Sequence, residues 1–93
     1  MDELRVKLLH ELIGIYGLGH AQSIGAVIIP AFIKDFRETA LKKDTFDEIS
    51  EEYMTEDKKV HLVMYGRKRL AGNGPEVQFT AFSINDRFVE LQK

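Results

Sequence analysis

The sequence contains no cysteine and no tryptophan, and only two prolines among its 93 residues. The absence of cysteine excludes a disulfide framework, a thiolate zinc site and a cysteine nucleophile. The longest wholly apolar run, residues 26–33, is far shorter than the roughly 20 residues that cross a bilayer. The amino terminus is acidic, where a secretory signal would be basic. We therefore expect a cytoplasmic protein that has no membrane partner.

The charge of the chain is nearly balanced, with 13 Lys and Arg against 15 Asp and Glu. Apolar residues make up 44% of the sequence, which is enough for one small core. We predict a single domain over residues 1–93. Its predicted parts are a helical body over 2–65, a basic loop over 66–75 and a β-hairpin over 76–92.

Two amphipathic helices are predicted in the first half of the chain. From residue 2 to residue 16, apolar side chains recur at intervals of three and four, and a glycine-rich segment then ends the helix. A second helical pattern spans residues 23–41, with an apolar residue at every fourth position. Pro30 interrupts this pattern, so the helix is expected to kink or to split there. The alternative is a buried strand at residues 27–29 before a helix that starts at Pro30.

The middle of the chain favours two further helices. Residues 44–53 combine a capping residue, Asp44 or Thr45, with acidic residues in the following turn. The segment 55–57 repeats this signature, so a fourth helix is predicted over 56–65, although the same residues also alternate as a strand. Alternation at residues 77–81 then predicts a strand. Asn85 and Asp86 are expected to close a hairpin onto a last strand at 87–91.

The turn between the first two helices has a distinctive spacing. Gly17, Leu18 and Gly19 are followed four residues after the last glycine by the small residue Ser23. This spacing resembles the helix-hairpin-helix motif, in which the apolar residue fills the gap between the helices. The resemblance implies that the free N–H groups at the start of the second helix bind a phosphate without reading a base. The alternative is that the glycines form only a structural turn.

The segments after this turn look like those that follow the motif in X-family DNA polymerases, and the resemblance covers about residues 8–65. It implies binding alone, because the catalytic carboxylates and the nucleotide-binding segment of that family have no room here. The chain departs from the motif where His20 and Gln22 replace the usual Pro, Lys or Arg, and where Ser23 replaces Ala. The fold class implied is α+β but mainly helical, a helix-hairpin-helix-like bundle of three to four helices with a C-terminal β-hairpin.

Three consecutive basic residues stand before a flexible glycine turn, in the segment 67–69. A basic loop beside a second phosphate-binding element is typical of nonspecific nucleic-acid binding, in which each neutralised phosphate releases counterions. The other interpretation is a solvated loop. The main functional hypothesis is thus a non-catalytic protein that binds the DNA or RNA backbone. Its proposed binding residues are Gly17, Leu18, Gly19, His20, Gln22, Arg67, Lys68 and Arg69.

Seven acidic residues and no basic residue occur between residues 44 and 57. This surface would repel a phosphate backbone, and it favours a second hypothesis, a protein-interaction or regulatory adaptor. The partner would be another protein or a second copy of the chain. It would dock on the acidic helix 44–57 or on the edge of the C-terminal hairpin, unless the acids form only a solvated face. The acidic docking residues of this hypothesis are Asp47, Glu48, Glu51 and Glu52.

Catalysis and metal binding have little support in the sequence. The three histidines, His10, His20 and His61, match no zinc spacing. None of the three serines lies in the strand, turn and helix arrangement of a nucleophile elbow. We therefore expect no enzymatic activity, no metal and no cofactor.

Overall fold

A computed structural model describes residues 2–44 and 46–91 of the chain. Two helices come first and four strands follow. The helices are α1 (Glu3–Tyr16) and α2 (Leu18–Lys42), and the strands are β1 (Glu48–Met54), β2 (His61–Ala71), β3 (Gly74–Ile84) and β4 (Arg87–Glu90). No helix in these described ranges is both long and apolar enough to cross a membrane.

The two helices form an antiparallel pair joined by a single residue. Asp2 caps α1, since its Oδ1 accepts a hydrogen bond of 2.9 Å from the Arg5 N–H. Gly17 ends α1 and precedes α2 with a φ of 86°, which a residue with a side chain rarely adopts. Helix α2 continues through Pro30 without a break. The helical interpretation of this region is confirmed, and the alternative strand at residues 27–29 is wrong.

The predicted helix over residues 44–53 is wrong, because this segment leads into strand β1. The chain leaves α2 at Lys43 with an extended backbone, and Ile49 becomes buried on the sheet while Glu48 and Ser50 stay exposed. Pairing with β2 makes this segment a strand and not a helix. The register of the pair places Glu48 opposite Arg67. Partners this distant in sequence leave no local signal, so capping residues and acids alone favoured a helix.

The predicted fourth helix over 56–65 is also wrong, and its strand alternative is confirmed. Residues 55–60 form a loop, and β2 then alternates with Leu62 and Met64 buried. The predicted basic loop over 66–75 is largely strand as well, because β2 ends only at Ala71 and β3 already begins at Gly74.

The C-terminal hairpin is confirmed. Asn85 and Asp86 close it with positive φ angles of 48° and 70°, as a two-residue turn of this kind requires.

The fold class predicted from the sequence is therefore wrong: the structure has two helices and a four-stranded antiparallel sheet, in the order β1-β2-β3-β4, in place of a bundle of three to four helices. The helices cover one face of the sheet, and the core lies between them. Side chains from both layers make up this core. Its largest fully buried members are Phe36, Phe82, Leu8, Leu12, Met64 and Val60.

Candidate functional site

The glycine turn presents the first backbone N–H groups of α2 at an exposed surface, and no side chain caps them. Gly19 lies inside the helix, so only Gly17 needs a glycine conformation. Leu18 is 60% exposed, so the predicted role of filling the gap between the helices is wrong for this residue. The buried residues Ala21 and Gly25 occupy that contact.

The three basic residues do not form one cluster, because side chains alternate between the two faces of a strand. Arg67 and Arg69 lie on the open face of the sheet, whereas Lys68 is only 4% exposed on the helix side. Its Nζ donates hydrogen bonds to the carbonyl oxygens of Leu41, at 3.3 Å, and of Lys43. Lys68 thus holds the carboxyl end of α2 and is not available to a phosphate.

The two parts of the predicted nucleic-acid surface lie at opposite ends of α2. The glycine turn, His20 and Gln22 belong to its first turns, while Lys68 contacts its last residues. At 1.5 Å per residue, the distance from Gln22 to Leu41 is about 28 Å along the axis. The structure therefore does not bring these two groups together into one binding surface.

The acidic residues of the second hypothesis are not one patch either. Glu48 and Glu52 lie on the open sheet face, while Glu51 lies on the helix side. Each of the three has a basic neighbour. These ion pairs are Glu48 with Arg67 at 3.5 Å, Glu51 with Lys43 at 3.0 Å and Glu52 with His61 at 2.9 Å. Asp47, which precedes the strand, also has an interaction within the protein.

The edge of the C-terminal hairpin is covered in part by α1. Lys7 Nζ donates a hydrogen bond of 3.2 Å to the Glu90 carbonyl oxygen, and Arg87 Nε lies 3.5 Å from Glu11 Oε1. Side chains of α1 therefore already bind one backbone carbonyl oxygen and one charged side chain of this short strand. This contact makes β4 a poor template for an added strand.

An apolar groove lies between α2 and the loop that joins β1 to β2, and sequence analysis did not predict it. Its volume is about 700 Å³. Val27 and Met54 on its walls are 69% and 54% exposed. The apolar lining residues are Ile24, Val27, Ile28, Phe32 and Met54. Its polar rim is formed by Tyr16, His20, Ser23, Thr55, Glu56 and Asp57.

One wall of this groove is braced by a stacked aromatic pair. The Phe32 and Tyr53 rings are 4.7 Å apart at an interplanar angle of 21°. The Tyr53 hydroxyl donates a hydrogen bond of 2.9 Å to Asp35. Burial, followed by the Asp35 carboxylate, raises the pKa of Tyr53, so the phenol remains protonated and the hydrogen bond persists at neutral pH. The wall is thus held in place before anything binds.

The loop on the other side is organised by Asp57. Its carboxylate accepts hydrogen bonds from the Thr55 hydroxyl at 2.6 Å, the Lys59 N–H at 3.0 Å and the Tyr16 hydroxyl at 2.8 Å. These bonds, led by that from Thr55, lower the pKa of Asp57 to about 2. The Tyr16 contact ties the loop to the end of α1, and the groove thereby has two fixed sides.

We predict that this loop contributes an acid-sensitive part of the stability. Because the pKa of Asp57 is lower in the folded chain than its ordinary value of about 4, its contribution is complete above about pH 4 and is lost as the pH falls towards about 2. Thermal melts at a series of pH values should show a smaller loss of Tm in this window for Asp57→Asn than for the wild type. Asp44→Asn is the matched control, since Asp44 makes no hydrogen bond or ion pair within the described residues. Equal losses for the wild type and Asp57→Asn would contradict the prediction.

Within residues 2–44 and 46–91, no group of three or more histidines and acidic residues could hold a metal ion. Comparison of the chain with protein-family models, with curated proteins and with solved structures finds no match.

The sequence carries one signal that could have revealed the groove. Residues 18–33 contain no Asp, Glu, Lys or Arg, although the chain as a whole is 30% charged. A helix with one buried face is expected to be charged on its other face, so an uncharged segment of this length indicates a second apolar contact.

Proposed function

We propose that the chain is a non-catalytic protein-interaction module that binds its partner in the groove between α2 and the β1–β2 loop. The exposed apolar wall of the groove is the observation that carries this proposal. Monomeric proteins rarely leave a contiguous apolar patch open unless it binds something. Val27 and Met54 both line this groove, and both remain more than half exposed.

The other candidate surfaces support a partner less well. Glu48, Glu51 and Glu52 already have basic neighbours within the chain, so a basic partner would have to compete with them. The edge strand β4 is partly covered by Lys7 and Glu11. The groove, in contrast, has an apolar floor and a polar rim, which is the usual composition of a protein interface.

A fluorescent apolar dye, 8-anilinonaphthalene-1-sulfonate, provides a direct test. We expect the dye to bind the folded wild type in dilute solution, and Val27→Glu or Met54→Glu to weaken its binding by about tenfold, because a negative charge in the groove must be desolvated when the dye enters and also repels its sulfonate group. Fluorescence titration measures this binding, and circular dichroism checks that each variant folds.

Leu70→Glu is the matched control for the dye experiment. Leu70 is 75% exposed, but it lies near the β2–β3 turn and does not line the groove. This variant should bind the dye as the wild type does. Equal weakening in all three variants, or no binding to the wild type, would contradict the assignment of the site.

Binding of nucleic acid is the second candidate, and one observation favours it. The first turn of α2 has exposed N–H groups, no side-chain cap and no acidic residue, as a phosphate site would need. Its support is weaker because Lys68 is buried and the acidic rim residues Glu56 and Asp57 line the groove together with His20. A mobility shift with duplex DNA at low salt, together with no dye binding, would favour this candidate over the groove. The cytoplasmic location stays a prediction in either case.

A further inference from the structure

We infer that the occupant of the groove is a second copy of this chain, docked so that the two α2 helices run antiparallel across a twofold axis near Val27. The inference rests on the proposed function, since it names the partner of the same groove. Three features of the described residues carry it: the position of an exposed stripe of residues on α2, the charges near the two ends of this stripe, and the location of the groove beside it.

The exposed stripe of α2 is centred on Val27. His20 and Lys34 each lie seven residues from Val27, almost two full turns, so all three project from the same face. Between them this face carries the small side chains Ser23 and Ala31, both exposed. Small residues let two helix backbones approach closely, and Val27 then meets its own copy at the centre.

The two ends of the stripe have opposite charges. Lys34 is at the carboxyl end, while Glu56 lines the groove beside His20 at the amino end. Neither Lys34 nor Glu56 makes a hydrogen bond or ion pair within the described residues, and both are exposed. An antiparallel arrangement about Val27 places Lys34 opposite His20 of the second copy, within reach of its Glu56. A parallel arrangement would place Lys34 beside Lys34, so the charges select the antiparallel one.

The exposed stripe of α2 and the groove lie side by side on one surface of the protein. Val27 projects at the centre of the stripe, and the space between α2 and Met54 runs along its flank. A twofold interface requires that the same patch supply both the projection and the recess, because each copy presents identical residues. Residues 18–33, about 24 Å of helix, bring no charge into the centre of such a contact.

Charge reversal tests the arrangement by sedimentation velocity over a range of protein concentrations. We expect the wild type to self-associate, and Lys34→Glu or Glu56→Lys to weaken the association by roughly tenfold, since each reversal acts at both symmetric contacts. The double variant K34E/E56K should return to within about threefold of the wild type, because the charges have only exchanged places. Both residues are exposed, and melting curves check that the variants remain folded.

A cysteine scan locates the axis independently, and the absence of native cysteines makes each introduced thiol unique. Val27→Cys should form a disulfide-linked dimer under mild oxidation, because the two residues meet at the axis. Leu41→Cys, on the same face of α2, should not: it lies about 21 Å from the axis, and its symmetric copy lies the same distance away on the other side.

The outcomes separate this inference from the proposed function. A wild type that stays monomeric at every concentration but binds the dye overturns the second copy as occupant and leaves the groove as a site for another partner. A monomeric wild type that binds no dye overturns both. Dimers that cross-link through Leu41→Cys as readily as through Val27→Cys, or that the double variant does not restore, show a different interface and overturn the inference.

Discussion

Replacing Gly66 by alanine is expected to lower the free energy of unfolding by about 2–3 kcal/mol, which is a large part of the stability of a small domain. Gly66 lies in β2 at a shift in the register with β3. A methyl group there would lie 2.9 Å from the Gln78 carbonyl oxygen and 2.9 Å from Cε1 of Phe36. Phe36 is fully buried and the carbonyl belongs to the neighbouring strand, so neither neighbour can move freely. Urea unfolding monitored by circular dichroism measures the loss.

Gly14→Ala provides the opposite result as a control. Gly14 lies inside α1, and a methyl group there would meet nothing within 4 Å. We expect this change to raise the free energy of unfolding by about 0.5–1 kcal/mol, because alanine favours the helix over the unfolded chain. A Gly66→Ala variant as stable as the wild type would mean that Phe36 and the strand can rearrange at little cost.

The helices could be predicted because their determinants are local. Apolar spacing places α1 within one residue of the structure, and Asp2 and Gly17 mark its ends. Pro30 does not break α2, because it is exposed on the outer surface of the helix while Ile29 and Ile33 continue to pack on the core. The C-terminal hairpin was also predictable, since Asn85 and Asp86 tolerate the positive φ angles of its turn.

The central sheet could not be predicted in the same way. The residue that suggested a helix cap makes a similar hydrogen bond in a loop: the Thr55 hydroxyl accepts from the Val60 N–H, much as a cap accepts from the first turn of a helix. Local chemistry therefore fits both structures. The choice depends on β2, which pairs with β1 on one side and with β3 on the other.

The candidate site also has one part that the sequence predicts and one part that depends on strand pairing. The uncharged segment 18–33 could be read from the sequence, but the groove is also lined by Met54 and the loop after it, and this loop exists only because β1 pairs with β2. The basic segment 67–69 was misleading for a related reason. Three adjacent side chains in a strand face alternate sides, so a run of like charge in the sequence need not be a surface of like charge.

Lys68 gives the second large effect that we predict. Its ammonium group satisfies carbonyl oxygens of Leu41 and Lys43 at the end of α2, where the helix dipole is negative, and it lies 5.0 Å from the centre of the Phe46 ring. Lys68→Met keeps most of the apolar stem but leaves these partly buried oxygens without their donor. We expect a loss of about 2 kcal/mol in the free energy of unfolding, because unpaired carbonyls cost more than is regained by not burying the charge.

The neighbouring residues supply the control for Lys68. Arg67→Met and Arg69→Met remove the same charge from the open face of the sheet, where both side chains are exposed, and each should change the free energy of unfolding by no more than about 0.5 kcal/mol. Hydrogen exchange adds a local measurement: amide protection in the last turn of α2 should fall in Lys68→Met and stay unchanged in the two arginine variants. If all three variants are equally stable, Lys68 does not hold the helix end. If Lys68→Met alone unfolds more easily, only the two arginines of this basic segment remain exposed on the sheet surface, and Arg67 is already paired there with Glu48.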